Sequence, residues 1–150
     1  MFNNDGEKNI STSSISVNDL LVLYFIGVGV EMKNEDFRIV GNIRELMKYC
    51  DNYVFSSFPK SELALKIRLE KCLYSLHEEC LRARLNVGNI RVKHIKELVI
   101  NISLIDYYIG TCRGKKIITS KRYFSIMSFI DNLNKMVGGW FLGEEKRKSI

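Results

Sequence analysis

The sequence predicts an all-α chain folded as an up-down-up-down four-helix bundle. Three observations carry this expectation. Apolar residues recur at helical spacing in four long stretches, the links between them are short, and the 150 residues include a single proline, where about 5% is usual. At this length one domain is expected. It is placed at residues 34–142, with an N-terminal extension (1–33) before it and a charged tail (143–150) after it.

The extension begins with polar residues, Asn3 to Gly6 and then Ser11 to Ser14, a composition that favours disorder. Leu20 to Val30 is apolar, but it is eleven residues long and interrupted by Gly27 and Gly29. A membrane span needs about 20 such residues, so no membrane partner is expected, and the stretch reads as a short helix or strand packed on the body. The basic start and small-residue cleavage site of a signal peptide are not evident.

The first helix is expected to start near Asn34–Asp36, where Glu35 and Asp36 suit a first turn. Val40, Ile43, Met47, Cys50 and Val54 form its core face. Gly41 weakens the early part by about 1 kcal/mol relative to alanine. Pro59 ends this helix, because it lacks an N–H and forces Phe58 towards extended geometry.

Ser61 is placed to cap the second helix, with Glu62 at the positive end of the helix dipole. From there to about Ala83 there is no glycine or proline. Leu65, Leu69, Cys72, Leu73, Leu76, Cys80 and Ala83 share one stripe at 100° per residue. Leu63, Ile67, Tyr74 and Leu81 form a second apolar line roughly opposite. A helix apolar on two sides is buried on two sides, and in a chain this short the second side is expected to meet another subunit.

Asn86, Gly88 and Asn89 mark the next link. The third helix is expected over Ile90–Ile109, with Ile95, Leu98, Val99, Ile102, Ile105 and Ile109 on its core face. Ile100, Leu104 and Tyr107 lie on the far side. Its β-branched residues would also suit a strand, but twenty residues at a 3.6 period favour a helix. Thr119 or Ser120 caps the fourth helix, whose stripe is Tyr123, Ile126, Met127, Ile130, Leu133, Val137 and Trp140. Gly138-Gly139 reads either as a stop or as a close approach of another backbone. The final EEKRKSI reads as a frayed end.

Charge divides unevenly along the chain. Residues 1–60 sum to −2 and residues 61–150 to +8, which points to an anionic partner for the second part. Arg82, Arg84, Arg91, Lys93 and Lys96 gather around the second link, and Arg113, Lys115, Lys116, Lys121 and Arg122 around the third. In an up-down bundle these links lie at opposite ends. No module that reads bases is visible, so RNA or DNA would be held through phosphates.

Catalysis has little support. There is no phosphate-binding glycine loop and no H-E-x-x-H, and the residues three before His77 and His94 are Tyr74 and Arg91, unsuited to a di-metal bundle. Both histidines read as surface residues, and no cofactor or metal is expected. Cys50, Cys72, Cys80 and Cys112 show no metal or disulfide spacing. Cys72 and Cys80 fall on a core face, as small apolar residues do in a reducing, cytoplasmic setting.

Taken in order, FPKSE at Phe58–Glu62, a long helix ending CLRAR, a lysine-rich link ending IIT, then KRY and KMVGGW, resemble the Avd family over about Arg38 to Leu142. These are the accessory variability determinant proteins of diversity-generating retroelements. The resemblance implies a barrel-like homopentamer of four-helix subunits, without enzymatic activity. Its implied partners are the retroelement reverse transcriptase and template RNA or DNA, and its role is to support mutagenic reverse transcription and retrohoming. One departure stands out. Where the family carries arginines midway along its third helix, this chain has Asn101, Ser103, Asp106 and Tyr107. A protein-protein adaptor of the wider four-helix superfamily, with no nucleic-acid role, is the alternative.

Overall fold

A computed structural model describes residues 34–148, with side chains from Arg38 onward. The polar start and the apolar stretch Leu20–Val30 lie outside the described residues. Four long helices, α1 (Asn34–Tyr53), α2 (Leu63–Leu85), α3 (Gly88–Gly114) and α4 (Ser120–Lys148), make up the described chain, with no strand among them. Each helix packs on two neighbours, α1 on α2 and α4, and α3 on α2 and α4.

The core is assembled from the predicted stripes. Ile43, Leu46, Leu69, Leu73, Leu76, Ile95, Leu98, Ile102, Ile105, Ile109, Ile126 and Ile130 are fully buried. Burying each such side chain stabilises by roughly 1.5–3 kcal/mol. The helix-propensity cost of an isoleucine is only about half a kcal/mol, so packing decides that the isoleucine-rich α3 is a helix. On α1, Leu46 takes the fully buried place predicted for Met47, which is half-buried, and on α3 Val99 departs from its stripe. It is exposed, because positions 95, 98, 102, 105, 109 and 112 already define the stripe by steps of three and four and Val99 falls beside it.

The helix ends differ from expectation in ways that local chemistry explains. Ser61 does not cap α2. Pro59 is extended (φ −70°, ψ 156°) and is followed by a short 3-10 turn, Lys60–Glu62, so α2 opens at Leu63 with no side-chain cap. α3 extends past Ile109 to Gly114 and stops in a Schellman arrangement. The N–H of Ile117 donates to the carbonyl of Cys112 at 2.8 Å and that of Lys116 to Arg113 at 3.0 Å, with Lys116 in the left-handed region at φ 60°. Thr119 caps α4 as expected, its Oγ1 accepting the Arg122 N–H at 3.2 Å.

α4 passes through Gly138-Gly139 without a break and continues to Lys148, so the pair is not a stop. An added Cβ on either glycine would meet nothing within 4 Å, so neither marks a close backbone approach among the described residues of the chain. Of the stretch from Glu144 expected to fray, residues 144–148 are the last part of this helix, and Glu144 is buried.

Candidate nucleic-acid interface

The third link is framed by the end of α1, the start of α2, the end of α3 and the start of α4. Contacts across this end show the antiparallel order directly. Lys115 Nζ pairs with Glu62 at 2.8 Å, and the Arg122 guanidinium donates to the Tyr53 carbonyl at 3.1 Å. Arg122 also lies over the Tyr53 ring, 5.4 Å from its centroid, while Arg113 lies over Tyr123 at 4.4 Å and Phe124 at 5.1 Å. Lys116 and Lys121 are exposed, with no carboxylate partner among the described residues. Arg113, Lys116 and Arg122 line a cleft of about 450 Å³ with Ile118 and Thr119. All five predicted cations are therefore brought to one end. The aromatic rings beneath them were missed by charge alone, although the order Lys121-Arg122-Tyr123-Phe124 places them next to the cluster.

The opposite end is organised differently, around Arg91. Its Nε donates to the Ala83 carbonyl at 2.8 Å and its Nη2 to Arg84 at 3.2 Å, closing off the orphan carbonyls at the end of α2. Its Nη1 pairs with Glu144 at 3.0 Å, and the guanidinium lies 5.7 Å from the centre of the Trp140 ring. The Arg91 side chain is only 14% exposed. It joins α2, α3 and α4 as a structural clamp, so of the predicted group at this end it is the residue most engaged within the fold. Arg82 is exposed and paired with Glu79 at 2.9 Å and Glu78 at 3.8 Å. Arg84 is half-buried and lends its carbonyl to Arg91. Lys93 and Lys96 face solvent.

Neither histidine is a free surface group. His94 Nδ1 is hydrogen-bonded to the Glu79 carboxylate across the α2–α3 contact. His77 accepts from Arg44 Nε at 3.4 Å. Burial, and then the neighbouring Arg44 charge, hold its pKa below the ordinary value, against a smaller opposing effect of Glu78. All four cysteines are buried, and none forms a disulfide among the described residues. Burial pushes the thiol of Cys50 up to about 12 and that of Cys112 to about 11. As neutral thiols they are poor nucleophiles and poor metal ligands. No cluster of metal-binding side chains occurs among the described residues, and none of their helices is long and apolar enough to cross a membrane.

The second apolar lines face outward. Leu63, Ile67 and Tyr74 on α2, and Ile100, Leu104 and Tyr107 on α3, are all exposed, Ile67 by 54% and Tyr107 by 70%. Leu81 is the exception and is half-buried.

A family profile described as bAvd-like matches residues 37–143. No curated protein and no solved structure matches the chain. The matched span takes in nearly all of the four helices and both links that carry the basic residues. The chain therefore belongs to the bAvd-like family, whose members are non-catalytic accessory proteins of diversity-generating retroelements.

Proposed function

We propose that this protein assembles as a homo-oligomeric ring and joins the retroelement reverse transcriptase to template RNA and to DNA, in support of mutagenic reverse transcription and retrohoming. The observation that carries this reading is the division of the surface. Apolar lines run outward along the flanks of α2 and α3, while exposed cations collect at the bundle ends. An exposed run of large apolar residues marks a protein contact. Two distinct lines on one subunit suit a heterologous interface, in which one line of each subunit meets a different surface of the next and the assembly closes as a ring. Leu63, Ile67, Tyr74, Ile100 and Leu104 are assigned to that contact, with Leu81 at its edge.

Arg113, Lys115, Lys116, Lys121 and Arg122 are assigned to nucleic acid at one rim, and Arg82, Arg84, Lys93 and Lys96 at the other. Repetition around a ring adds weak phosphate contacts together. Log affinity should fall linearly with log salt, by about 0.7–0.9 per phosphate neutralised. Replacing Arg113, Lys115 and Lys116 together by glutamine should weaken binding to every sequence and flatten that slope. Salt-independent binding, or unchanged affinity after substitution at both rims, would remove the nucleic-acid role and leave a protein-protein adaptor.

A further inference from the structure

The end of the bundle that carries the third link holds more than positive charge. Arg113 lies over Tyr123 and Phe124, and Arg122 over Tyr53. The Tyr53 ring packs against Tyr49 at 4.8 Å, and Tyr49 against Phe129 at 5.8 Å. The arginines are thus steadied by aromatic rings anchored in the bundle. Both arginines line the cleft of about 450 Å³, together with Lys116 and the start of α4. That volume is within the range of sites that take a small organic group.

Phe124 has no share in the core. The residue is 61% exposed. Arg113 lies over its ring at 5.1 Å, Tyr123 meets it edge-on at 5.4 Å, and Lys121 sits one turn earlier on the same helix face, unlike the neutral rim that normally encloses an apolar protein anchor. A flat ring presented among guanidiniums and ammonium groups suits a ligand that is at once flat and anionic. An unpaired nucleotide has both properties. Its base can stack on an aromatic ring or a guanidinium plane, and its phosphate can take the remaining N–H donors. A duplex offers the phosphates but hides the faces of its bases.

We infer that this end of the bundle selects single-stranded nucleic acid, with phosphates held by Arg113, Lys116 and Arg122 around the cleft and an unpaired base stacked on Phe124. The inference rests on the nucleic-acid reading above and adds to it a preference that charge alone does not supply. Tyr53, 45% exposed beneath Arg122, offers a second ring for a neighbouring base.

The test measures binding of the whole chain to three probes of equal length, each about 12 nucleotides. These are oligouridylate, an abasic strand with the same number of phosphates, and a duplex. The wild-type protein should bind oligouridylate at least about 5-fold more tightly than the abasic strand, the lower end of what one base–aromatic stack contributes. Phe124→Ala should bring oligouridylate down to the abasic level, and Phe124→Tyr should restore the difference. Circular dichroism and light scattering on each variant establish that fold and assembly are kept. Equal binding of oligouridylate and the abasic strand by the wild type overturns the inference and leaves the charge-based reading standing. Failure of all three probes to bind overturns both. A change of assembly in Phe124→Ala without loss of the strand preference assigns the ring to a protein contact, and also overturns the inference.

Discussion

Replacing Arg91 by methionine separates a structural clamp from a phosphate contact. The substitution keeps the length of the stem and removes three donated bonds, to the carbonyls of Ala83 and Arg84 and to the carboxylate of Glu144. Charge-assisted bonds contribute about 1.5–3 kcal/mol each, and breaking a buried pair costs about 3–5 kcal/mol. Two features of the structure reduce the sum. Glu144 retains Arg147 at 3.2 Å, and the α2 carbonyls lie at a helix end where water can replace the guanidinium. A loss of about 3 kcal/mol is expected, or roughly 12 °C in melting temperature for a domain of this size. Glu144→Gln alone should cost less, since the amide oxygen still accepts. The double variant should cost less than the two single losses added together, by at least about 1 kcal/mol. Thermal and urea unfolding of the four proteins, together with RNA binding by each, decide the matter. Unchanged stability with a selective loss of RNA affinity in Arg91→Met would refute the clamp and return Arg91 to the binding surface.

Three further outcomes follow from the same structure. Lys116→Gly should raise stability by about 1 kcal/mol in urea unfolding, because a left-handed conformation at φ 60° penalises any side chain; a loss of stability would mean that the lysine side chain supports the α3–α4 turn. Ile67→Glu should split the oligomer in light scattering while circular dichroism stays helical, since a carboxylate desolvated in each interface costs several kcal/mol; global unfolding would place Ile67 in the core. Alkaline pH should destabilise the fold through Cys50 and Cys112. Both thiols stay neutral in the folded state up to about 12 and 11, whereas the unfolded thiols ionise near 9. Their contribution is therefore complete below pH 9 and is lost as pH rises towards those values, by about 1.4 kcal/mol per pH unit for each thiol. Urea midpoints across that range should fall less steeply in a Cys50→Ala, Cys112→Ala variant, and equal slopes would contradict the assignment.

Periodicity made the interior legible. Leu69, Cys72, Leu73, Leu76, Cys80 and Ala83 are buried as their spacing requires, because a helix in a bundle has one inward direction and the sequence repeats it. The same spacing identified the lines through Ile67 and Ile100 as lying away from the core. Contacts between distant parts of the chain were not legible. Glu144 reads as part of a charged tail, and its burial is tolerable because Arg91, 53 positions away, pairs with it alongside its helix neighbour Arg147. A stop was one of the two readings of Gly138-Gly139, because each glycine weakens a helix by about 1 kcal/mol, but Val137 is buried and Trp140 packs against the core on either side of it, which outweighs that preference. Thr119 was recoverable as a cap because capping is local. Ser61 was not, because Pro59 imposes a 3-10 turn before α2 can begin. The basic cluster at the third link was visible as charge, while its aromatic support emerged only once α4 met α1, setting Arg122 over Tyr53, and α3, setting Arg113 over Phe124.

The central claim is that this chain is the accessory subunit of a reverse transcriptase, and co-purification tests it most directly. The tagged protein is expressed with a diversity-generating retroelement reverse transcriptase and its template RNA, then resolved by size-exclusion chromatography with light scattering. The account predicts one complex containing the enzyme, the RNA and several copies of this chain, lost when Ile67→Glu breaks the ring. Elution of this chain apart from both enzyme and RNA, with its own assembly intact, would contradict it.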